Sequence, residues 1–156
     1  LLLTRRADDA TLKIADFGES HHTSELPLAF TVCTRTHRAP EVFAGHDWGI
    51  PIDVWSAGVV LYEMLFDTYP FTSGSERNIL IHIVKKLGLP AYLEGSKRLP
   101  TRAWDETGRM ILDTVDDSPR KESLSMASKQ VLNQTITLNP LTRLTAAEAE
   151  DLLCDH

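Results

Sequence analysis

Apolar residues at positions 54, 55, 59, 60, 61, 64 and 65 cover most of the circumference of a helix drawn over residues 51–65. That pattern belongs to a helix buried on nearly all sides. Pro51 stands near its start, where a missing N–H costs least. Asp53 puts a carboxylate in the first turn, at the positive end of the helix dipole. A second helix is predicted over residues 76–87, where Ile79, Leu80, Ile83, Val84 and Leu87 recur at helical spacing and Gly88 and Pro90 end the run. A third covers residues 126–138 and stops at Asn139-Pro140. For residues 146–153, Thr145 as N-cap and Glu148 three positions on make a capping box.

The N-terminal end has a different period. Leu12 and Ile14 alternate with Lys13, as in a short half-buried strand over residues 11–15. It pairs with residues 1–4 across a polar turn at 5–10. Residues 19–36 read as a polar loop rich in Ser, Thr and His. Residues 91–124 are polar and irregular, and so long a stretch is expected to be partly helical. The predicted fold is therefore mainly α, with a short β-hairpin at the N-terminal end.

Composition narrows the class more than the chemistry. At 156 residues with 42% apolar content the chain can bury the core of one domain. A net charge of −6 argues against a strongly electropositive nucleic-acid surface. No apolar run reaches the ~20 residues needed to span a bilayer, so neither nucleic acid nor membrane is an expected partner. Cys33 and Cys154 share no metal-ligand spacing and suggest free thiols in a reducing, intracellular compartment, cytoplasmic or nuclear. The spacing of His21, His22, His37 and His46 does not make a ligand set.

The candidate chemistry sits where the second strand ends, at Asp16-Phe17-Gly18. A carboxylate fixed at a strand exit can hold a hard cation such as Mg²⁺, which prefers oxygen ligands. Ala39-Pro40-Glu41 begins 23 positions after Asp16, with Glu41 25 after it. Asp53-Val54-Trp55-Ser56-Ala57-Gly58 and, near the end, Leu138-Asn139-Pro140-Leu141-Thr142-Arg143-Leu144-Thr145 follow. Strand, Asp-Phe-Gly, polar loop and Ala-Pro-Glu in that order belong to the protein-kinase signature set. The chain resembles the C-terminal lobe of a eukaryotic protein kinase, and residues 34–41 look most like the CMGC group, the relatives of cyclin-dependent and mitogen-activated kinases. The resemblance implies a hairpin and metal-binding motif at 1–18, an activation segment at 19–41, and a helical subdomain at 42–156 with an insert at about 91–124. It also implies a start just after the catalytic loop, since the sequence contains no Gly-rich phosphate loop, no Val-Ala-Ile-Lys and no His-Arg-Asp.

By the same resemblance this is a protein serine/threonine kinase acting on protein substrates with ATP and Mg²⁺, proline-directed by its likeness to that group. Asp16 would hold Mg²⁺ against the ATP phosphates, with Phe17 and Gly18 setting the arrangement of its loop. Thr34 would brace the catalytic aspartate, and Arg38 would brace the loop that receives the residue after the phosphorylated Ser or Thr. Asp53 would accept hydrogen bonds from the catalytic-loop backbone. Ala29 stands where many relatives carry an activating phosphothreonine, and Thr31, where some carry a phosphotyrosine, is the candidate phosphosite. Glu41 and Arg143 are expected to meet as a buried ion pair across about a hundred residues. With the N-lobe and catalytic loop supplied by the rest of the domain, the chain alone is expected to be inactive, with an apolar strip exposed near Trp55. The alternative is a pseudokinase scaffold, because Glu19, Ala29, Thr36 and His37 depart from the common pattern.

Overall fold

The helix over Pro51–Phe66 (α2) forms as its pattern dictates, and the rest of the helical body is laid against it. A computed structural model describes residues 2–4, 11–25, 32–72, 74–94, 96, 99, 109–115 and 119–154. The architecture is mainly helical, with Leu2–Thr4 (β1) and Thr11–Lys13 (β2) as an antiparallel hairpin in which Leu3 faces Leu12. After α1 (Pro40–Ala44) and α2 come α3 (Glu76–Leu87), α4 (Pro119–Ser123), α5 (Met126–Thr135) and α6 (Ala146–Cys154). The proposed phosphosite Thr31, and with it Ala29, lies outside the described residues.

The core is built from three faces of the sequence pattern. Trp55 and Val59 of α2, Ile79, Leu80 and Ile83 of α3, and Leu132 of α5 are fully enclosed. The α2–α5 contact is close because position 58 has no side chain: a Cβ on Gly58 would lie 2.5 Å from Thr135 Oγ1. The insert contributes as well. Its 3₁₀ turn Ile111–Thr114 buries Ile111 and Leu112, and Leu112 N–H donates to Asn133 Oδ1 at 3.2 Å. Arg109 N–H donates to Leu87 O at 3.0 Å.

Caps decide the ends. Thr145 Oγ1 accepts from Glu148 N–H at 3.2 Å and Glu148 Oε2 accepts from Thr145 N–H at 2.7 Å, the reciprocal capping box expected from sequence. Ser75 and Ser125 cap α3 and α5 in the simpler way, each side chain accepting a backbone N–H.

Two expectations need correction. The strand is three residues long and ends at Lys13, and Leu12 and Ile14 are exposed rather than half-buried. Helix α5 ends at Thr135 rather than at 138: Ile136 leaves the helical region at φ −94° and ψ 52°, Thr137 Oγ1 bonds the Asn133 carbonyl at 2.9 Å, and Arg143 takes the carbonyls of Thr137 and Leu138. On α2 a narrow stripe of Asp53, Ala57 and Met64 is exposed and the remaining residues are buried or half-buried, in keeping with burial on nearly all sides. Trp55 itself is fully buried: Phe71 stacks on it at 5.6 Å and Arg143 covers it at 5.2 Å.

Candidate active site

Asp16 follows the second strand in a left-handed backbone conformation, φ 68°. Asp tolerates that region better than most residues because its short side chain bonds locally. Here Gly18 N–H donates to Asp16 Oδ1 at 3.4 Å, which leaves the other carboxylate oxygen uncommitted. Phe17 beside it is largely exposed. Asp16, Thr34 and Asp53 line one cavity of about 670 Å³, with Cys33, His21 and Trp48 among its other walls. The three acidic or hydroxylic residues singled out from sequence are thus brought together by the chain's path, two of them from loops and one from the first turn of α2.

Thr34 precedes the 3₁₀ turn Arg35–His37 and uses its carbonyl, not its side chain, to hold it: His37 N–H donates to Thr34 O at 2.9 Å. Its exposed hydroxyl has no partner among the described residues and borders the cavity. Asp53 likewise has no side-chain donor among the described residues, and partial burial pushes its carboxyl above the ordinary range. An uncompensated carboxylate facing a cavity is a seat for backbone N–H donors from another segment.

Arg38 is the most heavily engaged residue of this region. Though buried, its guanidinium donates from Nε to Val32 O and from Nη2 to Cys33 O, both at 2.8 Å. Its Nη1 pairs with Glu76 Oε1, and its Cζ lies 5.2 Å over the Phe43 ring. A planar five-donor group is suited to gathering several carbonyls at once. The outcome is a backbone turned at Cys33 to φ 67°, a left-handed conformation that costs a non-glycine residue about 1–2 kcal/mol. Sequence reasoning found Arg38 but not the turned Cys33, and no sequence signal marks it. Glu76, the anion that fixes Arg38, was visible only as a first-turn acid of α3.

Beneath this loop Arg143 closes the fold. Its Nη1 donates to Glu41 Oε1 at 2.8 Å and its Nη2 to Glu41 Oε2 at 3.2 Å, the parallel fork of a bidentate pair. Both side chains are buried, 0% and 3% exposed, and Arg143 also donates to Pro51 O at 2.8 Å and Thr137 O at 3.1 Å. One guanidinium therefore ties the start of α1, the start of α2 and the end of α5 together. Tyr92 O–H donates to Leu138 O at 2.9 Å nearby, and burial, with Glu41 adding to it, drives its hydroxyl far above the usual phenol range.

For a divalent cation the described residues of this cavity offer the uncommitted carboxylate oxygen of Asp16, with the carboxylates of Glu19 and Asp53 on the same walls. Among the described residues no group of three or more His, Cys, Asp or Glu side chains is arranged to hold a metal. That fits Mg²⁺, which is ordinarily bound by one or two carboxylates together with substrate phosphates rather than by an all-protein cage.

Comparison with known proteins agrees with this geometry. The family described as protein kinase domain matches residues 1–153. Cyclin-dependent kinase 4 of Rattus norvegicus is 31% identical over 90% of this chain and 46% of its own length. Mitogen-activated protein kinase 13 of Mus musculus is 32% identical over 91% of this chain and 39% of its own length. Serine/threonine-protein kinase 33 of Bos taurus is 31% identical over 90% of this chain and 24% of its own length. The chain thus spans less than half the length of these relatives. With Asp16 at the strand exit, the 32–38 loop gathered by Arg38 and Glu41 locked to Arg143, the chain belongs to the protein kinase domain family.

Proposed function

We propose that this chain forms the substrate-platform part of a CMGC-like serine/threonine kinase that transfers the γ-phosphoryl of ATP to a protein Ser or Thr followed by proline. The observation that carries the reading is the turned Cys33, whose carbonyl is taken by Arg38, in the wall of the cavity that Asp16 and Thr34 also line. A substrate residue lying against Cys33 finds no free carbonyl there for its N–H. An unpaired N–H costs about 1–3 kcal/mol, whereas proline has none to leave unpaired. Proline at that place is thereby favoured about tenfold or more over a residue of similar size.

In the transfer, the substrate hydroxyl oxygen bonds to the γ-phosphorus, the bond from that phosphorus to the β–γ bridging oxygen breaks, and ADP leaves. The hydroxyl proton passes to a base that the family supplies from its catalytic loop, as it does the phosphate-binding lysine; neither motif occurs in these 156 residues. Mg²⁺, when bound, neutralises charge on the phosphates. Asp16 would hold it, Thr34 would offer its hydroxyl to brace the base, Asp53 would receive the backbone of the loop that carries the base, and Arg38 keeps the platform turned.

Radiolabelled ATP and a pair of peptides differing only as Ser-Pro and Ser-Ala test the reading. The complete protein carrying this chain is expected to label the Ser-Pro peptide preferentially and to lose transfer on Asp16→Ala. Residues 1–156 alone are expected to transfer nothing. Equal labelling of the two peptides removes the proline assignment, and no labelling by the complete protein favours the scaffold alternative.

A further inference from the structure

A second cavity, of about 270 Å³, opens where the end of α3, the insert and the turn after α5 meet. It shares no lining residue with the cavity of Asp16. Leu87 and Ile136, both buried, make its floor, and the half-buried Leu89 and Leu138 its sides. Arg109, Met110 and Asn139 are exposed and form the mouth. The walls are held apart by their own backbone bonds. Thr137 O accepts from Arg143 Nε at 3.1 Å and Leu138 O from the Tyr92 hydroxyl at 2.9 Å. On the opposite lip Arg109 N–H donates to Leu87 O at 3.0 Å and Met110 N–H to Asp113 Oδ2 at 3.1 Å. A preformed, mostly apolar space with a few polar groups at one end is the usual form of a small-molecule site. The polar end has one sign. Arg109 is the single charged residue of the described lining, which contains neither Asp nor Glu. Asn139 Oδ1 accepts from Leu141 N–H at 3.0 Å, so the Nδ2 donors lie on the other side of the amide.

We propose that this cavity binds a small apolar monocarboxylate, its chain between Leu87, Ile136 and Leu138 and its carboxylate at Arg109 and Asn139. An apolar cavity of this kind holds water poorly and takes an apolar guest in its place. At ~30 Å³ per heavy atom, the share of a water molecule in the liquid, 270 Å³ holds roughly nine heavy atoms. That is the bulk of a straight chain of about eight carbons whose carboxylate stays at the mouth. Arginine suits the anion, since its planar fork can meet both oxygens at once. Arg109 is already engaged within the protein, and five N–H donors allow it a second partner. Met110, 57% exposed, brings an unbranched thioether to the mouth, a side chain that adapts to a bound apolar surface. Phosphoryl transfer plays no part in the inference, which stands on this cavity alone.

Isothermal titration calorimetry on the complete protein carrying this chain tests the site, with butanoate, hexanoate, octanoate and decanoate as probes and octanol as the uncharged control. Affinity should rise about fourfold for each added methylene as far as octanoate, and decanoate should gain little more because the cavity is then full. Octanoate should bind about tenfold more tightly than octanol, the worth of a hydrogen bond to a charged group. Arg109→Gln should bring octanoate down to the level of octanol and leave octanol unmoved, and Arg109→Lys should recover most of the difference. Met110→Trp, which sets a larger side chain across the mouth at an exposed position, should abolish binding of both with the melting temperature unchanged. An absence of saturable octanoate binding to the wild type overturns the proposal. Equal affinity for octanoate and octanol overturns the anion end, and wild-type affinity in Met110→Trp puts the ligand elsewhere and overturns the site. Should Met110→Trp fail to fold, the octanoate and octanol affinities of Arg109→Gln decide: equal losses of both, or none, refute the assignment.

Discussion

Replacing Arg143 by Ala is the most severe single change the structure predicts outside the hydrophobic core. Its guanidinium is wholly enclosed, and Glu41, its partner, is 3% exposed. Removal strands that carboxylate and takes the donors from Pro51 O and Thr137 O. Breaking a buried ion pair by deleting one partner costs about 3–5 kcal/mol, because the remaining charge stays desolvated. Domains of ordinary stability have only about 5–15 kcal/mol in total. At about 2–4 °C per kcal/mol for a chain of this size, the midpoint should fall by roughly 6–20 °C. Circular dichroism at helical wavelengths is the suitable assay, since Trp55 fluorescence would report the loss of the cation 5.2 Å from its ring as well as unfolding. Glu41→Gln should cost less than Arg143→Ala, because the amide oxygen still accepts one bond and Arg143 keeps its carbonyls. Glu41→Leu combined with Arg143→Met should recover much of the loss, as apolar replacement of a whole buried pair often does. An Arg143→Ala loss under about 1 kcal/mol would equal that of an exposed pair and refute the argument.

Three further changes have equally definite outcomes. His82 accepts or donates at Thr72 through Nδ1, and burial lowers its pKa below the ordinary 6.5, so the unfolded chain takes up the proton first as pH falls. The stability His82 permits is complete above that value and declines below it; a melting temperature equally pH-dependent between 5 and 7 in His82→Asn would count against this. Gly58→Ala should lower stability by about 1–3 kcal/mol through the 2.5 Å clash with Thr135 Oγ1, although helix propensity alone favours Ala by about 1 kcal/mol; a neutral or stabilising result in a urea melt defeats the packing account. Thr145→Ala should cost about 1 kcal/mol by uncapping α6, and proteolysis near the C-terminus should accelerate with it; an unchanged cleavage rate contradicts the cap.

What was legible in the sequence follows the range of the forces involved. The helices α2, α3 and α6 were placed to within a residue or so because periodicity and caps are local. The hairpin was legible for the same reason, and its exposure was not, since alternation records a face and not what covers it. The ion pair of Glu41 and Arg143 was expected only from motifs that a family shares; nothing in either neighbourhood alone names the other. Periodicity placed Trp55 inside but could not name its covers, Phe71 and Arg143, which come from 16 and 88 positions away. The left-handed Cys33 had no signal, as cysteine has no preference for that region. Its conformation is imposed by the reach of Arg38, which is itself set by Glu76 on another helix. Asp16, Thr34 and Asp53 were found singly, and only the fold put them around one space.

The span of the Glu41–Arg143 pair also bears on how the chain is made. The two residues are 102 positions apart. A ribosome adds about 5–20 residues per second, so Glu41 emerges roughly 5–20 s before the arginine that will neutralise it. Throughout that interval α1 and α2 cannot settle as they do in the finished domain without burying a lone carboxylate. The nascent segment must keep that side chain in water, with Trp55 still lacking its Arg143 cover, until synthesis has reached position 143. A product terminated between Ile136 and Arg143 therefore retains the buried core side chains but not the charge that lets them close, and it should be handed to quality control as a client rather than released as a smaller domain.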